Sequence, residues 1–174
     1  MKRFFPKLTP KDIATLGLLV AVTALLAIFC TVRVGTLIKI PFKFISVFMA
    51  AVLFGPVYGG LCGAIGDLLN ATLAPVGALL PQLTALEFVS GFTYGLFFLR
   101  RDLSPREYLI RTILCGVVQF LIDMFLTTMV LTSVGYFPSF EVAFSMRLPA
   151  GVLKFALQVL LIRAIRPIFG KIKL

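Results

Sequence analysis

The chain has 174 residues, of which 60% are hydrophobic and 14% charged, with a formal net charge of +10 and a mean hydropathy of +1.06. A water-soluble domain of this length cannot bury so much apolar surface, and continuous apolar runs are not the alternation of a membrane barrel, so the composition indicates an all-α, polytopic membrane protein. The sequence contains no histidine, which removes the commonest general base and metal ligand; its basic residues cluster between apolar runs, where they report topology rather than nucleic acid.

The basic N-terminus "MKRFFPKLTPKD" leads into an apolar run over 13–32. That run is too long for a signal-peptide core, and no small-x-small cleavage site follows it. "AIFC" approaches a lipobox, but Phe29 is bulky where a small residue is required. The segment is read as a retained first span, a helix over 11–32. Along it Ala14, Gly17, Ala21 and Ala24 recur at three- and four-residue spacing. Such a stripe lets another helix approach closely, either one of the chain's own or a partner's. The connection "RVGTLIKIPFK" follows, carrying Arg33, Lys39 and Lys43.

The second predicted helix, 44–54, is short, ends at Gly55-Pro56, and crosses only part of a bilayer that needs about 20 residues. The third, 57–73, is stopped by Pro75 and Gly77, and the fourth runs over 81–99. After the hydrophilic loop "RRDLSPRE" a fifth helix covers 107–133, "GYFPS" turns the chain, and a sixth covers 140–168 with Pro149 as a kink. No internal repeat is visible, so residues 1–174 form one six-helix domain. With the N-terminus inside, twelve Lys and Arg fall on the inner face and five on the outer. The positive-inside rule then puts both termini in the cytoplasm. Cys30, Cys62 and Cys115 lie singly in apolar segments and are read as small buried hydrophobes.

The polar residues inside the spans segregate. "GGLCGAIGDLLNAT" places Asp67 and Asn70 on one face of the third helix, in its outer half. Glu87 falls in the outer third of the fourth, Gln119 and Asp123 share a face of the fifth, and Arg147, Lys154 and Gln158 descend the sixth. A charge at the bilayer centre costs about 3 kcal/mol even on the lenient scale, so each is a functional candidate. The alternatives are structural pairs, Asp67 with Arg147 for one, or a polar cavity open to the outside. In the cavity reading, Arg33, Lys39 and Lys43 give the mouth a positive potential that draws an anionic solute.

The stretch "VFMAAVLFGPVYGGLCGAIGDLLNATLAPVGALLPQLTALEFVSGFTYGLFF" resembles the middle of the substrate-binding S components of energy-coupling factor (ECF) vitamin transporters, and the likeness extends over nearly the whole chain. "LFGPVYGGLCGAIGDLL", the following P-x-G, "SGFTYGLF" and "RLPAG" look most like the folate-type members. S components for other vitamins, riboflavin and pantothenate among them, share the fold. The resemblance implies a protein of the bacterial cytoplasmic membrane, with no cofactor. Such a protein captures its vitamin outside, docks on a membrane scaffold driven by two cytoplasmic ATPases, and topples to release it inside. The small residues Ala14, Gly17, Ala21 and Ala24 would be the docking face and the first connection a gate. Absence of GxxxxGK[ST] fits a subunit that is not the ATPase. In a folate site, Asp67 would accept from the pterin 2-amino group and ring N–H, with Asn70 beside it and Glu87 the second choice. Gln119, Arg147 and Lys154 would line the site, Arg33 or Lys39 would meet the glutamate tail, and Phe42, Phe88 or Phe120 could stack on the rings. The rival classes are an intramembrane aspartyl enzyme and an autonomous channel or ion-coupled transporter; the latter is usually built from repeats that are not seen here.

Overall fold

The computed structural model describes residues 8–34, 38–74, 79–98 and 104–169. Outside them lie Lys2, Arg3, Lys7, Arg100, Arg101, Lys171 and Lys173, used above as topology signals, and the breakers Pro75 and Gly77.

The described residues are helical apart from one hairpin. Helix α1 (Pro10–Phe29) starts at a capping box in which Thr9 and Asp12 bond reciprocally, with Pro10 at the first helical position. It stops before the predicted end at residue 32. The stretch Thr31-Val32-Arg33-Val34, three of whose residues are β-branched, favours extended backbone, and β1 (Thr31–Val34) pairs antiparallel with β2 (Ile38–Pro41), Arg33 opposite Lys39. The first connection is therefore a structured hairpin, closed at its base by Phe42 N–H donating to the Cys30 carbonyl. Cys30 is exposed, against expectation, while Cys62 and Cys115 are buried.

Helix α2 (Phe44–Phe54) is the centre of the molecule. It is apolar on every face, the mark of a helix surrounded by protein. Phe48 and Ala50 have no exposed surface, and Phe48 stands edge-on to Tyr94 and Phe98. Gly55 (φ 98°) reverses the chain, and Pro56 opens α3 (Pro56–Leu73).

Helix α4 (Pro81–Phe97) crosses α3 with the two backbones in direct contact. A Cβ on Gly91 would fall on the Gly59 carbonyl, and one on Gly95 on the Pro56 backbone. On α3, a Cβ at Gly63 would come within 2.7 Å of the Glu87 carbonyl and one at Gly60 within 2.8 Å of the Phe88 ring. The glycines therefore set the separation of the pair.

The fifth rod begins at a second capping box, Ser104 with Glu107. It comprises α5 (Pro105–Leu121), a π-helical turn (Ile122–Thr127) and α6 (Thr128–Ser133), where a single α-helix was predicted. Helix α7 (Phe140–Phe169) runs unbroken through Pro149. Tyr108 ties α5 to α7 by donating to the Ile162 carbonyl at 2.9 Å.

Among the described residues, three helices are long and apolar enough to cross a membrane: Pro10–Phe29, Pro105–Ser133 and Phe140–Ile165. Leu18, Leu25, Leu114, Met129 and Leu160 are each more than half exposed on the outside of these rods, a surface suited to lipid.

Gly91→Val is expected to force α3 and α4 apart. Overpacking of this kind costs about 1–3 kcal/mol or more, read as a lower unfolding temperature of the detergent-solubilised protein by circular dichroism. Gly17→Ala, which meets nothing within 4 Å, is expected to leave that temperature unchanged or slightly raised; equal losses in both variants would remove the special role of the α3–α4 contact.

Candidate functional site

The reversal at Gly55 and the glycine contact bring the C-terminal half of α3 and the N-terminal half of α4 beside the start of α2. Lys43, which directly precedes α2, is only 8% exposed. Its Nζ lies 3.2 Å from Asp67 Oδ1 and 3.0 Å from Glu87 Oε1. The second Asp67 oxygen accepts from the Thr84 hydroxyl at 3.0 Å. One ammonium thus bridges two carboxylates from two helices.

A second cluster faces the first. Asp123 sits in the π turn and receives Arg147 Nη2 at 3.0 Å on one oxygen and Lys154 Nζ at 3.0 Å on the other. Arg147 also donates to the buried Thr128 hydroxyl at 3.0 Å. Here two cations share one carboxylate. Gln119 joins the walls by donating to the Ser90 carbonyl of α4 at 2.7 Å.

Between the clusters lies a cavity of about 130 Å³, bordered by Lys43, Phe44, Asp67, Glu87, Gln119, Asp123 and Lys154. Its size is close to the roughly 150 Å³ void that accepts a benzene ring. A smaller void of about 10 Å³ adjoins Gln119, Asp123, Lys154 and Gln158. Gln158 is 2% exposed, and its Nε2 is the one buried side-chain polar atom without a partner among the described residues; the void is at the lower limit for a single water.

Of the residues singled out from the sequence, the fold brings Asp67, Glu87, Gln119 and Lys154 to the cavity, with Arg147 behind Asp123. Asn70, one turn past Asp67, is not among the lining residues. Arg33 and Lys39 are backbone partners in the hairpin register. The alternative Asp67–Arg147 pair does not form, because the helices carrying them border opposite sides of the cavity and each side chain has a nearer partner. Asp123, expected to have only Gln119 for company, is instead clamped by two cations. Phe88 packs on Gly60 and Phe92, and Phe120 on Phe155 beside the smaller void; the aromatic rings that border the main cavity are Phe44 and Tyr94.

Sequence reasoning missed the centrality of Lys43 and Asp123. The available signal was stoichiometric: Asp67 and Glu87 lie on helices without a cation of their own, and the apolar flanks of "IPFKFI" bury the nearest lysine. On α1, Ala14, Gly17 and Ala21 are exposed, whereas Ala24 is buried against the chain's own helices. The arrangement is a set of fixed ion pairs around a ring-sized space, which suits binding; neither Cys62 nor Cys115 borders it.

A family model described as ECF-type riboflavin transporter, S component, matches residues 7–166. A folate transporter FolT of Clostridium novyi (strain NT) is 34% identical over 92 residues, covering 53% of this chain and 52% of that protein. The chain therefore spans about half the length of that relative. A folate transporter FolT of Streptococcus mutans serotype c is 27% identical over 165 residues, covering 93% of this chain and 88% of that protein. Among solved structures, a crystal structure of FolT bound with folic acid matches with TM-score 0.77 and 28% identity over 95% of this chain and 96% of that one. The S component of a bacterial ECF transporter matches in fold, with TM-score 0.63 and 20% identity over 92% and 98%.

Lys43→Met is expected to leave Asp67 and Glu87 facing each other without a counter-charge. Breaking a buried pair in this way costs about 3–5 kcal/mol, measured as a lower unfolding temperature of the ligand-free protein. Adding Asp67→Asn and Glu87→Gln to Lys43→Met is expected to recover much of the loss. A silent Lys43→Met would mean that the bridge contributes nothing to the fold.

Proposed function

The chain belongs to the family of ECF-type riboflavin transporter S components, a membrane transporter component and not an enzyme, and on that premise we propose that it binds folate outside the cell and delivers it for ATP-driven uptake. The observation that carries this reading is the ion-lined, ring-sized cavity set in a chain that matches the folic acid-bound FolT along almost its whole length.

A cavity of about 130 Å³ takes a flat ring system and not a whole two-part vitamin. We assign it to the pterin head, whose donor edge meets the Lys43–Asp67–Glu87 wall while Gln119, Arg147 and Lys154 hold the opposite side. The benzoyl-glutamate tail extends toward the hairpin bearing Arg33 and Lys39, which opens directly onto Lys43. Guanidinium and ammonium groups there suit the tail's carboxylates.

The remaining assignments follow the family. The six helical rods act as one membrane domain, residues 1–174, with both termini cytoplasmic, in the bacterial cytoplasmic membrane. The exposed face of Ala14, Gly17 and Ala21 docks on the ECF scaffold subunit, itself driven by two ATPases. The absence of any atom within 4 Å of a Cβ at Gly17 supports an open docking face.

A second reading takes the family model's description at its word and makes the ligand riboflavin. Calorimetric titration of the purified chain, without ATP or partners, separates the two. Folate is expected to give saturable heat and riboflavin none; the reverse would keep the family and overturn the ligand. Gly17→Trp is expected to abolish uptake by the complete transporter while leaving folate binding by the isolated chain intact. Normal uptake in that variant would remove α1 as the docking face.

A further inference from the structure

The two clusters do not carry the same charge. On the α3–α4 wall one ammonium, Lys43, serves two carboxylates, Asp67 and Glu87. On the opposite wall two cations, Arg147 and Lys154, serve Asp123 alone. The cavity is thus polarised, one wall net negative and the other net positive. A ligand lying between them is turned so that its donors face the first wall and its acceptors the second.

The three carboxylates are not equally available. Asp67 has one oxygen on Lys43 and the other on Thr84. Asp123 has one on Arg147 and the other on Lys154. Glu87 uses only Oε1, on Lys43, and Oε2 has no hydrogen-bond partner among the described residues. Glu87 is also the most exposed of the three, with 34% of its side chain accessible against 19% for Asp67 and 22% for Asp123, and it borders the cavity. Its backbone is held in place, because the Glu87 carbonyl lies against Gly63 with no room for a Cβ between them. An unpaired acceptor oxygen on a fixed backbone, carried by a residue that borders the cavity, is a preorganised recognition group.

We propose that Glu87, and not the more deeply paired Asp67, accepts the N–H edge of the ligand's heterocycle and thereby sets specificity for a 2-amino over a 2-oxo ring. Asp67 acts as the anchor that keeps Lys43 in place. This rests on the pterin-head reading above. A ring amino group donates to Oε2, whereas a ring carbonyl at the same position meets it acceptor to acceptor. A site built around one polar contact rejects the analogue that lacks the matching group far more strongly than shape alone can.

The test compares two free heads, 2-amino-4-oxopteridine and 2,4-dioxopteridine, by competition against folate on the purified, detergent-solubilised chain. The native protein is expected to prefer the amino head by at least tenfold. Glu87→Gln presents an amide that can donate or accept, so the preference is expected to fall toward unity while the unfolding temperature stays near native. Glu87→Met, which has no acceptor, is expected to lose the preference as well. Asp67→Asn is expected to keep it, even if all affinities drop. A native preference that survives both Glu87 variants, or that disappears in Asp67→Asn, overturns the proposal. A native chain that binds folate without discriminating between the heads overturns it too, whereas failure of the native chain to bind folate at all overturns the ligand reading instead.

Discussion

The structure depends on two helices touching without side chains between them. Where α3 meets α4, Gly59 and Gly91 place backbone on backbone, and Gly95 does the same against Pro56. Helices normally pack 8–10 Å apart because side chains fill the gap; removing the Cβ atoms brings the axes closer, and α2 packs against both helices of the pair. Lys43, at the head of α2, is thereby trapped between carboxylates from both. Position along the chain would not join these three residues, since 24 separate Lys43 from Asp67 and Glu87 lies on a further helix.

The electrostatics follow from that confinement. In a hydrocarbon surrounding, an uncompensated charge is costly, and a buried pair is favourable only when its remaining lone pairs and protons are also satisfied. Thr84 does this for Asp67, and Thr128 for Arg147. The cavity persists because the charges pair along its walls and not across it. Gln119, reaching to the Ser90 carbonyl, ties the walls together without adding charge. Phe44 supplies an apolar surface at the foot of the same space. A site of this kind has its polarity installed before any ligand arrives, so binding need not reorganise it.

How much of this could be read from the sequence varied with the physics of each element. The bounds of α2 were legible because "GP" at 55–56 is a punctuation that a helix cannot ignore. The capping boxes are legible too, as Thr-Pro-Lys-Asp and Ser-Pro-Arg-Glu. The hairpin was hidden because two four-residue strands carrying Arg33 and Lys39 look like any basic connection. Asp67, Glu87, Gln119 and Lys154 were recognisable as candidates from the cost of placing them in an apolar run. Their pairing was not, because partner choice is decided by which helices adjoin. Hence an Asp67–Arg147 pair stands as an open alternative in the sequence, whereas the fold gives each a nearer companion.

The π turn over Ile122–Thr127 shifts the phase of the exposed apolar stripe along the fifth rod. A π turn accommodates one residue more than the α-helix around it, so side chains beyond it are rotated by about a quarter-turn or more relative to a straight 3.6-residue wheel. Leu114, Val117 and Leu121 define the outward line before the turn, and Leu126 and Met129 continue it after a shift in phase. A helical wheel drawn straight through 105–133 would misplace the side chains beyond the turn by about a quarter-turn. Any comparison of this segment between relatives therefore has to allow a single-residue slip near Asp123, since a chain without the extra residue would carry the same outward stripe but aim a different side chain at Arg147 and Lys154.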